Sequence, residues 1–283
     1  MDTDWWFLIE MMRSMGRHGA VKIILKDDPK HVPLLGWALR GLGFIFLQRD
    51  WAKDKHNLDR QLEAFMEDDF PLRLLLFPEG TTINTLAMST CKEYAEKESR
   101  PTFNHLLLPR VTGFKACVEA FASAGGRGRP GRWGRGEEGR VVYDVTIGYT
   151  GYGGEVPTYR MGYSRKRDID IPSIASLLRG CQPGPVHMHI EKHAVEDVRR
   201  SGGTWLDATW ARKDALLEGF ISEGHFPGEP VVAFTARQRP SSFCLLSSLP
   251  LLFGWFCWAA APDVIRWLSL ILGGVTGGGE AGL

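Results

Sequence analysis

Phe77-Pro78-Glu79-Gly80-Thr81 is the sharpest chemical feature of this chain. It ends the apolar run Leu72 to Phe77, which reads as a strand stopped by Pro78, and the carboxyl ends of strands are where open α/β sheets place their ligand sites. Glycine at position 80 lets backbone approach a ligand, while the Thr81 hydroxyl and free backbone N–H groups can meet phosphate oxygens. The Glu79 carboxylate can hold an arginine or a hydroxyl. From these five residues alone, a tight turn with a solvated glutamate is an equal reading. Two other segments add weight. Gly43-Phe44-Ile45-Phe46-Leu47-Gln48-Arg49 is a hydrophobic strand that delivers Arg49 at its end, and Leu107-Leu108-Pro109-Arg110 delivers Arg110 in the same way. Either arginine alone reads as a surface charge. Together with Glu79 they can converge on one face and bind an anionic substrate by forked hydrogen bonds.

The elements that must position these residues alternate. Trp5 to Met15 reads as a helix with Asp4 as its capping carboxylate. A strand at Val21 to Leu25, a short helix over Pro33 to Leu42 and a buried strand at Phe44 to Leu47 follow. Leu58, Leu62, Phe65 and Met66 recur at helical spacing and mark the core face of an amphipathic helix. Strands alternating with helices predict an α/β protein, a mostly parallel sheet covered by helices. Val141 to Tyr149 and Val186 to Ile190 are expected to resume that sheet. Thr204 to Ile221 is expected to be helical, with Trp210, Leu217 and Phe220 on one face. The globular domain is expected to span residues 1–226, interrupted at 123–140 by a Gly/Arg-rich insertion too poor in apolar surface to fold alone.

Composition bounds the rest. The chain has 283 residues with 34 Lys+Arg against 33 Asp+Glu, a net charge of +1, which argues against a protein held to nucleic acid by overall charge. Its 44% hydrophobic content is ample for a packed core. The five cysteines show no paired spacing, so neither a disulfide framework nor a metal site is suggested, and none of the residues is assigned to a metal. The acidic N-terminus shows no cleavable signal. The insertion holds two formal G-x-G-x-x-G matches that follow no strand, and dinucleotide binding is rejected. Its five arginines and Trp133 read as a solvated linker, or as a contact to RNA or anionic headgroups. No G-x-S-x-G, Walker loop or H-E-x-x-H is present. After a linker at 227–242, Phe243 to Ala261 is free of charge and long enough to cross a hydrocarbon core of about 30 Å, with a second short apolar stretch at Trp267 to Val275. Residues 243–276 are read as membrane segment and 277–283 as tail. Arg237 and Arg239 before it place the preceding domain on the cytosolic side.

In their order along the chain, these blocks resemble those of the glycerolipid and lysophospholipid acyltransferases, particularly the branch containing lysocardiolipin and lysophosphatidylinositol acyltransferases. Asp4-Trp5-Trp6 stands in the first block, Gly43 to Arg49 in the second, 77–81 in the third and Leu108-Pro109-Arg110 in the fourth. Trp210, Lys213, Asp214 and Leu217 extend the likeness, which covers most of residues 4–226. It implies a glycerol-3-phosphate acyltransferase-like fold and transfer of an acyl chain from acyl-CoA to the free hydroxyl of a lysophospholipid at a membrane, such as the endoplasmic reticulum. Acyl-CoA is then a co-substrate, with no further cofactor. The resemblance assigns Arg49, Glu79, Gly80 and Thr81 mainly to the phosphorylated acceptor. Pro109 and Arg110 complete that site or the acyl donor's. The acceptor is read as lysophosphatidylinositol, with lysophosphatidic acid the alternative.

The family's first block pairs a histidine base with an aspartate five positions on, which orients the ring. Asp4 matches the aspartate, but its histidine would lie before Met1. None of His18, His31, His56, His105, His187, His189, His193 or His225 has an aspartate five positions later. The sequence reading expects a recorded start that has lost this histidine and an N-terminal membrane segment. Its alternative is a non-catalytic, membrane-anchored lipid-binding copy.

Overall fold

The structure, a computed structural model, describes residues 3–31, 35–48, 50–67, 72–123, 140–156, 184–229 and 232–233. Nearly all of them belong to one unit, Met1–Val231. The order of elements is α1 (Asp4–Ser14), β1 (Val21–Lys26), α2 (Leu35–Gly41), β2 (Ile45–Leu47), α3 (Trp51–Glu67), β3 (Arg73–Leu75), α4 (Thr85–Lys97), α5 (Val111–Ser123), β4 (Val141–Tyr149), β5 (Val186–Ala194) and α6 (Val195–Glu223).

The first three strands form a parallel sheet in the order β2-β1-β3, with Ile24 opposite Ile45 and Val21 opposite Arg73. Alternation along β1 decides what covers each face, because successive side chains point to opposite sides. Val21 and Ile23 join Phe44 and Phe46 under Trp5, Ile9 and Met12 of α1 and Leu39 of α2. Ile24 faces the other way and packs with Ile45 against Leu58 and Leu62 of α3 and Cys117 of α5. Ile23, Ile45, Leu58 and Leu62 are fully buried, and each contributes about 2 kcal/mol of hydrophobic stabilisation. The expected layering of helices on a parallel sheet is therefore present, on a small sheet.

Several expectations need correction. Residues 141–149 and 186–190 do not resume the parallel sheet. They lie in β4 and β5, which pair antiparallel over nine residues, from Val141 opposite Ala194 to Tyr149 opposite Val186, as a separate two-stranded sheet. Each strand satisfies the other's backbone along that ladder, and α6 supplies the apolar cover: Gly148 has no Cβ, which would otherwise sit 2.7 Å from the Phe220 ring. The predicted strand over 72–77 is shorter, Arg73–Leu75. Helices α4 and α5 carry no sequence expectation above, although Asn84 caps α4 by accepting the Ala87 N–H at 2.9 Å, and Phe114, Cys117, Val118 and Phe121 recur at helical spacing in α5.

Helix α6 begins at Val195, earlier than the expected Thr204, and bends at Gly202, whose φ is +58°. Its Val198, Leu206 and Trp210 close a core with Phe114 and Val118 of α5 and Leu108 before it. It also buries a cation. Lys213 is 6% exposed, and its Nζ lies 2.7 Å from Asp144 Oδ1, donates to the Val145 carbonyl at 2.6 Å, and sits 5.3 Å from the centre of the Trp210 ring. No helix among the described residues is long and apolar enough to cross a membrane. The apolar segments at 243–261 and 267–275, and residues 124–139 of the insertion, lie outside the described residues.

Removing one partner of a buried ion pair leaves the other charge desolvated and alone. Lys213→Met is therefore expected to lower unfolding stability by about 3 kcal/mol, and replacing Asp144 by Leu as well should recover most of the loss. Urea midpoints check this. An unchanged midpoint for Lys213→Met would show that the pair does not fasten α6 to β4.

Candidate functional site

The site is built where the chain leaves β3. Parallel pairing puts the carboxyl ends of β2 and β3 at the same edge of the sheet, on either side of β1. From β3 the chain runs through Leu76 and Phe77 into a turn closed by the Gly80 N–H, which donates to the Phe77 carbonyl at 3.0 Å. That bond engages the Gly80 N–H within the turn. Gly80 adopts φ +67°, a left-handed conformation that side chains disfavour.

Leu107 to Arg110 runs alongside this turn. The Arg110 N–H donates to the Pro78 carbonyl at 2.8 Å. The Arg110 side chain then crosses Gly80, where a Cβ would fall 3.1 Å from its Nε and 3.2 Å from its Cδ. Glycine is needed twice over, for the backbone angle and for the passage of the guanidinium arm. Arg110 is exposed, Pro109 is buried, and Thr81 is exposed.

Glu79 lies between these segments, and its carboxylate accepts the Leu107 backbone N–H. Burial pushes its carboxyl up from the usual range to about 7. The negative charge of Asp4 adds to that rise, while the Leu107 N–H and the Lys213 ammonium oppose it. Asp4 of α1 and Lys213 of α6 thus both act electrostatically on Glu79 in the turn.

Asp4 stands in the first turn of α1, and the N-cap is Thr3, not Asp4 as the sequence reading had it. Asp4 has a different attachment: the Tyr149 hydroxyl donates to its Oδ1 at 2.5 Å, and the Thr3 hydroxyl is 3.3 Å from Tyr149 Oη. Thr3 and Tyr149 are buried. Tyr149 comes from the far end of β4, a partner no local spacing announces. Lys213 is likewise recognisable in sequence only through the family likeness.

The structure thus brings together Glu79, Gly80, Pro109 and Arg110, with Asp4 in electrostatic reach of Glu79. Arg49 lies outside the described residues. Just before it, the Gln48 N–H donates to buried Asp54 in the first turn of α3 at 2.8 Å. Several histidines have contacts elsewhere. His105 Nε2 is 2.6 Å from Glu218, His31 pairs with Asp27 and His193 with Glu191. His187 and His189 pack on Phe220 and Phe226, and His225 bonds to the Phe226 carbonyl. None of these partners is Asp4.

One group among the described residues, Asp144, Glu191 and His193, brings possible metal-ligand atoms within 4.8 Å of one another. Its two carboxylates are already paired, Asp144 with Lys213 at 2.7 Å and Glu191 with Arg212 at 3.3 Å. A divalent ion there would meet two resident cations, so the donor set fits a metal poorly.

Residues 1–139 match the family described as Acyltransferase, and residues 176–248 match Acyltransferase C-terminus. The chain is 30% identical over 231 residues to the Probable 1-acyl-sn-glycerol-3-phosphate acyltransferase 5 of Arabidopsis thaliana, covering 81% of this chain and 53% of that protein. It is 28% identical over 225 residues to Lysocardiolipin acyltransferase 1 of Gallus gallus, covering 78% and 52%. It is also 28% identical over 265 residues to the 2-acyl-1-lysophosphatidylinositol acyltransferase of Saccharomyces cerevisiae, covering 81% and 61%. The chain spans about half the length of the first of these curated relatives. No solved structure gives a significant match.

The raised Glu79 pKa has a signed consequence. The unfolded chain loses this proton near 4.5, while the folded protein holds it to about 7, so the native state binds more protons between those values. Stability falls as pH rises through that window, by about 3 kcal/mol, and levels off above it. Glu79→Gln, which imitates the protonated acid, escapes the loss. Its advantage in urea midpoint over the parent chain should therefore grow between about pH 5 and about pH 8. A constant difference would contradict a desolvated carboxyl.

Proposed function

The chain belongs to the acyltransferase family, and from that premise we propose that it transfers a fatty acyl group from acyl-CoA to the free hydroxyl of a lysophospholipid. The observation that carries this reading is the Arg110 guanidinium arm laid across Gly80. An exposed guanidinium over a glycine turn suits a phosphate oxygen, because arginine offers several donors in a fixed fork. The printed names of the three relatives above share a phosphate-bearing acceptor lipid. Arg110 and Arg49 hold that phosphate in this proposal, Gly80 gives the Arg110 arm its passage, Thr81 borders the site, Pro109 sets the direction of Arg110, and Glu79 anchors the turn. Lysophosphatidylinositol is the acceptor we favour, and lysophosphatidic acid is the nearest alternative.

In the reaction the acceptor hydroxyl oxygen attacks the thioester carbonyl carbon. A C–O bond forms, the C–S bond breaks, and the hydroxyl proton passes through a base to the departing CoA sulfur. The thioester is the activated group, so the step balances without oxidant or reductant. Asp4, gripped by Tyr149, is placed to orient an imidazole base five positions before it. The apolar run Phe243 to Ala261 would hold the unit at the membrane where both lipids reside. Lipid binding without turnover is the second reading.

Membranes expressing the chain, supplied with labelled acyl-CoA and each acceptor, test the proposal. A version extended so that a histidine stands five positions before Asp4 is expected to transfer acyl groups about a hundredfold faster than the 283-residue chain, the scale of a positioned base. Arg110→Ala in the extended version should cut the rate about tenfold or more. Lysophospholipid binding with no transfer by the extended version would establish the second reading instead.

A further inference from the structure

The peptide unit joining Pro109 to Arg110 is held at both of its polar ends. Its N–H, on Arg110, donates to the Pro78 carbonyl of the glycine turn at 2.8 Å. Its carbonyl, on Pro109, accepts from Arg100 Nη2 at 3.0 Å. The same guanidinium is clamped to α6, with Nε 3.1 Å from Asp207 Oδ2 and Nη2 2.5 Å from Asp207 Oδ1. Both side chains are largely covered, at 19% and 23% exposure, and the Pro109 ring is fully buried. Arg100 therefore ties three parts of the chain together: the segment after α4, the start of α5 and the side of α6.

Pinning both ends of one peptide fixes the plane of that unit. The plane sets the direction in which the next Cα presents its side chain, because only φ and ψ remain soft. For Arg110, that direction is the one that carries its arm over Gly80. The carbonyl end of that plane is held by Arg100. A forked bond to a carboxylate leaves guanidinium N–H groups to spare for a third partner, which a lysine ammonium cannot reproduce in the same plane.

We propose that Arg100 and Asp207 are positioning residues for the acceptor phosphate. They act through Arg110 without touching the lipid themselves. This inference rests on the phosphate-binding role given to Arg110 above. Their contribution is to acceptor affinity, distinct from the general contribution of an ion pair between helices.

A double-mutant cycle on binding of lysophosphatidylinositol, presented in neutral-detergent micelles to the full chain, separates the two. Arg100→Lys is expected to weaken binding about fivefold in the parent and to have no further effect once Arg110 is alanine, because residues acting through one another are not additive. Its effect on melting temperature should be equal in both backgrounds. Asp207→Asn, which removes the charge partner of the fork, should show the same non-additive pattern, and it serves if Arg100→Lys does not fold. Unchanged affinity in the single variants, or an equal loss in both backgrounds, would overturn the inference and leave the functional reading standing. No binding by the parent chain would instead overturn the functional reading, and the inference with it.

Discussion

An arginine must cross a turn with no side chain in its way, and the geometry of the candidate site depends on that constraint. Gly80 meets it by combining a positive φ with the absence of a Cβ that would lie 3.1 Å from Arg110 Nε. The constraint also works in reverse. The Arg110 N–H is bonded to the Pro78 carbonyl, so the turn and the start of α5 are fixed together. Glu79 is drawn into the same unit by the Leu107 N–H and pays in desolvation, which is why its proton is held to about 7.

The parallel sheet supplies the edge at which this happens, and α6 supplies the rigidity. Asp214 on that helix accepts the backbone N–H groups of Asn104 and His105, at 2.7 to 3.1 Å, and Asp207 receives Arg100. Lys213 faces the other way and fastens β4 through Asp144. β4 ends in Tyr149, whose hydroxyl holds Asp4. One helix thus braces both the segment leading to Arg110 and the strand leading to Asp4.

Much of this was legible in the residues, in a patterned way. The strands β1 and β2 and the helices α1 and α2 are short, local stretches that spacing places near their observed bounds, while for α3 spacing marks the core face from Leu58 onward and not its start at Trp51. The turn at 77–81 and its pairing with Leu107 to Arg110 follow from apolar runs ended by proline. Partner choice was not legible. Nothing local in β4 and β5 says that they pair with each other and leave the parallel sheet, because the same alternation suits either arrangement. The Tyr149 to Asp4 bond and the Arg100 fork join residues more than a hundred positions apart, and such pairs depend on the tertiary path of the chain. Helix α4 was announced only by the Asn84 cap, a polar signal that hydrophobic spacing overlooks.

The central claim is that the Gly80 turn and Arg110 recognise a lipid phosphate. Its most direct measurement compares the affinity of the chain for lysophosphatidic acid and for the matching monoacylglycerol, which differs only in lacking the phosphate. The account predicts that the phosphorylated lipid binds at least about tenfold more tightly, and that Arg110→Ala removes the difference while leaving monoacylglycerol binding unchanged. Equal affinity for the two lipids, or a preference that survives Arg110→Ala, would contradict it.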